Sequence, residues 1–382
     1  MNLPNSLVRM GAVVLAVSLA TAGCMDLADL AESVDDMLVV ARVGVVAHPE
    51  IGSPGAEARL RKALSCFRSR KVDAIVILGD LTKDGYLNQY RTLSGAWDKV
   101  FNDPVKGVDR NPPRRICILG PNDRNGYRDA FADELGGTVF DEGEFDVNGF
   151  RFRVGARRSA QSGEGPVVPE VFAEGKPPLT DEMCFYPREG ASVNAGSLSG
   201  VVPRAGYEPV ERAASASQGI LLSAYSGKVV VSRLDFTYVE KVADDWTIPL
   251  GGSGAATPLS VKVPRFWDDA RLMVTRGTVN GGTVFKVAWP PVLAKFTGER
   301  AFSYEVEAIM GASGDGKGSV VKRVYVHSPN YHLSEDRDIL PVFCNFHASE
   351  FPSGARVRFA VTPVSSTGVR GARLVGDECL MP

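Results

Sequence analysis

The stretch "DAIVILGDLTKDG", residues 73–85, decides how the chain is read. Residues 74–78 are apolar at every position, the pattern of a strand covered on both faces rather than one with a wet side. Gly79-Asp80 stops the run abruptly and leaves a carboxylate at its carboxyl end, the edge of an α/β sheet where ligands gather. Asp80 is therefore either a metal ligand or a capping carboxylate that accepts backbone N–H groups in the turn after the strand.

The sequence around this stretch repeats the theme. "RVGVVAH" ends at His48 and reads as a strand, and "RRICILG" reads as a buried strand running into Pro121-Asn122-Asp123. Between the strands, "GAEARLRKALSCFRSRK" places Leu60, Ala63, Leu64 and Phe67 near helical spacing, and "YLNQYRTLSGAWDKVF" reads as a second helix. Alternating strands and helices predict an α/β layered domain. The three strands end in polar clusters at one edge: His48, Gly79-Asp80, and Gly120 to Asp123. Further on, "NGFRFRVGA" reads as a strand and "GILLSAYSGKVVVSRLDF" as a hairpin turning at Ser226-Gly227.

In order and spacing these three clusters resemble the calcineurin-like metallophosphoesterases, over residues 41–250. The resemblance implies a layered β-sandwich flanked by helices and hydrolysis of phosphate mono- or diesters by a metal-bound hydroxide. In that family an Asp-x-His, a Gly-Asp and a Gly-Asn-His follow successive strands, and a later His and a Gly-His-x-His complete two metal shells. Two divalent cations roughly 3.5–4 Å apart repel by about 17–19 kcal/mol at an effective dielectric near 20, so the full ligand set matters.

Most of that set is missing here. His48 matches the His of Asp-x-His, but Val46 stands where the Asp belongs. Asp80 matches the bridging carboxylate. At the third strand, "GPND" gives Pro121 for the Asn and Asn122 for the His. With one inserted residue, Asn122 becomes the Asn ligand and Asp123 stands in for the His. The chain has four histidines, and His327, His332 and His347 lie past residue 261, so no Gly-His-x-His follows Asn122 within the domain. The segment "MCFYPREGASVNAGSLSG" offers Cys184, Glu189 and Asn194 without a ligand spacing. The remnant metal set is His48, Asp80 and Asn122, with Asn122 and Asp123 as remnant catalytic positions. Capping is preferred for Asp80 and a turn role for His48, and "GPNDRNG" is turn-forming composition in its own right. Arg124, Arg157 and Arg158 read as a solvated face, and the histidines of "HSPNYH" as loop residues. No cofactor is expected; an active relative would take one or two divalent metals (Mn, Fe or Zn).

The remaining sequence sets the context. "MNLPNSLVRMGAVVLAVSLATAGC", residues 1–24, is an export signal with Arg9 as its positive flank and an apolar run too short to span a bilayer. Its end, Thr21-Ala22-Gly23-Cys24, resembles a bacterial lipobox, with Thr21 in place of the usual Leu. This implies lipidation of Cys24 and a place in the bacterial cell envelope; a plain secretory signal is the alternative. Residues 25–40 form a linker or helix. "PLGGSGAATPLS" supplies a Gly/Ser/Pro-rich boundary, with 251–261 as linker. Residues 262–382 then change to short β runs with Trp289 and Tyr304 in early strands, and "RVRFAVTPVSSTGVRG" resembles the penultimate strand and loop of a fibronectin type III domain. An all-β sandwich is predicted. Net charge is −2 and charges are well mixed, which excludes a nucleic-acid surface. Cys66 and Cys117 sit in apolar runs as small hydrophobes, and no disulfide is specified. The expected role is a catalytically degenerate binding or scaffold module, held at the membrane by lipid, with a protein or cell-surface polymer as partner. The alternative is a divergent active phosphoesterase.

Overall fold

In the computed structural model the described residues are 39–102, 111–125, 134–135, 138–140, 142–157, 170–174, 185–186, 192–199, 217–225, 227–242, 244–249, 263–294, 299–311, 318–332, 339–366 and 368–382. The signal segment with Cys24 and the linker therefore fall outside them, as do Arg158, Cys184, Glu189 and the side chains of Arg124, Arg157 and Asn194.

Three parallel strands, β1 (Ala41–Ala47), β2 (Ala74–Gly79) and β3 (Arg114–Leu119), form the centre of an eight-stranded mixed sheet. Helices α1 (Ala56–Ser69) and α2 (Leu87–Phe101) supply the two crossovers. On the far side of β1 the sheet continues antiparallel through β10 (Gln218–Tyr225) and β11 (Lys228–Asp235), whose hairpin pairs Tyr225 with Lys228.

Both faces of the central strands are covered, which is why their sequence shows no alternation. Val46, Ile75, Ile77 and Cys117 pack against Leu60, Leu64 and Phe67 of α1 and Leu93, Trp97 and Phe101 of α2. The opposite face, with Val43, Val45, Val76 and Leu78, meets Phe145 and Phe152 of a second, five-stranded sheet. Each such fully buried side chain contributes about 1.5–3 kcal/mol. The second sheet begins with the hairpin of β5 (Glu142–Val147) and β6 (Phe150–Arg157), turned by Asn148 (φ 52°) and Gly149 (φ 85°). Two left-handed residues in a two-residue loop match the twist of paired strands. The unit is thus helices on a sheet on a sheet.

The C-terminal region is all β. A sheet of β14 (Met273–Val279), β15 (Gly282–Trp289) and β18 (Val342–His347) faces a sheet of β17 (Ser319–His327), β16 (Ser303–Met310), β19 (Arg356–Val364) and β20 (Leu374–Leu380). Phe285, Trp289, Tyr304, Phe346 and Phe359 fill the space between them. Trp289 meets Tyr304 edge-on at 5.3 Å, and the Tyr304 hydroxyl accepts the Val292 N–H at 2.9 Å. The β14–β15 hairpin also turns on Asn280 (φ 50°) and Gly281 (φ 79°). Sequence patterning passes over β14 because it is exposed almost throughout and does not alternate. The fold is an α/β layered β-sandwich flanked by helices, followed by an all-β sandwich.

Candidate functional site

Parallel pairing of β1, β2 and β3 brings their carboxyl ends side by side, so the three polar clusters meet as predicted by position. What meets is mainly backbone. After β1, the His48 N–H donates to the Leu78 carbonyl at 2.9 Å, the Glu50 N–H to the Asp80 carbonyl at 3.1 Å, and the Ile51 N–H to the Leu81 carbonyl at 3.0 Å. The turn after β1 is thus laced to the turn after β2. His48 and Glu50 both hold left-handed φ, 48° and 45°, which non-glycine residues adopt only when their surroundings impose it. The Ser199 hydroxyl donates to the His48 carbonyl at 2.7 Å from the other side. His48 is 5% exposed within this lacing.

Asp80 is half-buried, and its Oδ1 accepts the Asn122 N–H at 2.9 Å. It caps, but the N–H comes from the turn after β3 rather than from its own turn. Gly79 (φ 81°) lets the chain leave β2 at this angle. Gly120 makes room for the carboxylate: a Cβ there would lie 2.3 Å from Asp80 Oδ1 and 2.4 Å from the Asp80 nitrogen.

Asp123 organises the cluster. It is fully buried and accepts five hydrogen bonds. Oδ2 takes the N–H groups of Leu81 (2.8 Å) and Gly120 (2.9 Å). Oδ1 takes the Thr82 N–H (3.0 Å), the Thr82 hydroxyl (2.7 Å) and the Tyr90 hydroxyl (2.8 Å). Thr82 in turn accepts the Gly85 N–H at 3.0 Å and so fixes the rest of "LTKDG". Burial pushes the Asp123 carboxyl above the usual range, and the hydrogen bonds from Gly120, Thr82, Leu81 and Tyr90 pull it back only in part. Burial also drives the Tyr90 phenol upward, with the Asp123 charge adding to it. Tyr90 therefore stays a neutral donor.

These residues do not fit a two-metal centre. Both Asp123 oxygens are saturated by donors that converge from the turn after β2, from α2 and from the turn after β3. Asp80 spends one oxygen on Asn122. Val46, in the place of the missing carboxylate, is buried against the helices. Among the described residues no group of three His, Cys, Asp or Glu side chains is arranged to hold a metal ion. Thr82 and Tyr90 escape a motif-based reading, because a structural partner has no motif. The one signal available was a threonine in the turn after β2 and a tyrosine on the inner face of α2. A separate groove of about 590 Å³ opens beside Gly52 and the first turns of α1 and α2. Its one arginine, Arg61, is paired with Glu57 at 3.8 Å.

No family model matches the chain, and no curated protein matches it. Among solved structures it is similar to a predicted phosphoesterase from Streptococcus pneumoniae, with 11% identity and a TM-score of 0.31 over 55% of this chain and 97% of that one. It is also similar to zinc-complexed Vps29 of Entamoeba histolytica, with 8% identity and a TM-score of 0.29 over 55% of this chain and 99% of that one. The third fibronectin III domain of a human protein is similar over 35% of this chain and 94% of its own length, with 14% identity and a TM-score of 0.21. Likenesses this distant bring no activity, ligand or partner with them.

Proposed function

We propose that the chain is an exported, lipid-anchored protein whose metallophosphoesterase-like unit has lost its catalytic centre and works as a rigid binding or scaffold module beside a fibronectin-like sandwich. The observation that carries this reading is Asp123. With one inserted residue in the alignment it stands in for the family's leaving-group histidine, and it is turned inward on five donors instead of outward on a substrate. A residue so used cannot give or take a proton without dismantling the turns it holds. Val46 and the absence of any histidine between His48 and His327 support the same reading. The purified protein is expected not to hydrolyse aryl phosphate mono- or diesters above background with Mn²⁺, Fe²⁺ or Zn²⁺ supplied. Metal-dependent turnover abolished by Asp80→Ala would reverse the assignment.

A second reading, a divergent one-metal phosphoesterase, draws on one observation: Asp80 is only half-buried at the carboxyl edge of the sheet. The same assay separates the two. The anchor rests on the "TAGC" segment, and Cys24→Ser is expected to move the protein from the membrane fraction to the soluble one. Unchanged membrane association of that variant would count against lipidation.

A further inference from the structure

Among the described residues, the turn 328–332 after β17 touches the first unit at Gln218 and Arg233. Gln218, the first residue of β10, donates through Nε2 to the His332 carbonyl at 3.1 Å, and its Oε1 faces His332 Nδ1 at 3.2 Å. Arg233 of β11 lies against Trp246 of its own unit at 4.4 Å and against Tyr331 of the other at 5.5 Å. Beneath the turn, His332 Nε2 meets His327 Nε2 at 2.9 Å, and His327 Nδ1 meets the Phe302 carbonyl at 2.7 Å. Both imidazoles are sealed from solvent, at 0% and 1% exposure.

A count of ring protons gives this chain a direction. The Phe302 carbonyl only accepts, so His327 Nδ1 carries a hydrogen and, in the neutral ring, Nε2 is a lone pair. His332 Nε2 then supplies the hydrogen between the rings. The Gln218 amide is oriented by the carbonyl that its nitrogen faces, so its oxygen faces His332 Nδ1. One added proton therefore has a place, between His332 Nδ1 and Gln218. A second has none: with both Nε2 atoms protonated, two N–H groups would point at each other across 2.9 Å.

Two arginines and a tyrosine face the pair, and the two guanidinium charges oppose a proton on His332. Arg233 approaches from β11. Arg300, which donates to the Asn330 and Tyr331 carbonyls at 3.2 Å, approaches from the segment before β16, and Tyr331 flanks the pair from the turn itself. Burial first, then His327, Arg233 and Arg300, hold His332 well below the ordinary histidine range.

We propose that the His327–His332 pair is an acid-released latch: protonation of both rings breaks the Nε2–Nε2 contact, displaces the 328–332 turn, and frees the C-terminal sandwich from Gln218 and Arg233. The sign follows from linkage. A histidine whose proton affinity is lower in the closed state adds stability at and above its ordinary range near pH 6.5, and that contribution is lost as the pH falls below it. The latch is shut at neutral pH and opens in acid.

The test uses the full exported chain, from about pH 7.5 to about pH 4.5 across the histidine range. Imidazole ¹⁵N spectra report protonation, and small-angle scattering reports the separation of the units. The expected result is late protonation of His332, and a reversible increase in radius of gyration once both rings are charged. His332→Gln, which keeps a hydrogen-bonding amide and removes the titration, should stay compact at both pH values. Should that variant not fold, the wild-type measurements decide alone. His332 titrating near pH 6.5, rings that remain neutral at about pH 4.5, or a molecule that stays compact after both are protonated, would overturn the proposal.

Discussion

Asp123 behaves as a bracket because a buried carboxylate is tolerated only when its lone pairs are filled, and here backbone and hydroxyl donors fill them. Asp123→Asn replaces one acceptor by an NH₂ group aimed at donors. The expected loss is about 2–4 kcal/mol of unfolding free energy, read by denaturant titration, since it leaves several buried polar groups unmatched. Asp80→Asn keeps an acceptor for the Asn122 N–H and should cost less than about 1 kcal/mol. Equal losses for the two would mean that Asp123 has no special structural weight. The sequence disclosed Asp80 because strand, glycine and carboxylate are contiguous. It hid the role of Asp123, whose partners Leu81, Thr82 and Tyr90 are 42, 41 and 33 residues away. No local pattern reports a bond of that span.

At the scale of elements, the most legible pieces were those buried on both faces or amphipathic by helical spacing. β1, β2, β3, α1 and α2 all fall within a residue or two of where composition places them. In the second sheet β6 is legible in "NGFRFRVGA" while its partner β5 is not, and β14 is also passed over, although Asn148-Gly149 and Asn280-Gly281 are the dipeptides that two-residue hairpins require. The packing of α1 on the sheet depends on a residue that carries no chemistry. A Cβ on Gly44 of β1 would lie 2.7 Å from the Phe67 ring, which is itself held edge-on by Phe236 at 5.4 Å. Gly44→Ala should therefore lower stability by about 1–3 kcal/mol through overpacking, and Phe67→Leu in the same background should recover part of the loss. A neutral Gly44→Ala in thermal unfolding would show that α1 can shift without cost.

At the scale of the whole molecule, a fold and the chemistry that such a fold often hosts are separable. The strand-end edge is built, closed and hydrogen-bonded, and it does this with side chains that a metal centre would need to face outward. That conclusion is tested most directly by equilibrium unfolding of the wild-type chain with and without Mn²⁺ or Zn²⁺. A ligand that binds only the native state stabilises it by about 2.7 kcal/mol at a hundredfold excess over its dissociation constant. The account predicts no metal-dependent gain in unfolding free energy, in wild type or in Asp80→Ala. A gain of that size in wild type, absent from Asp80→Ala, would contradict it.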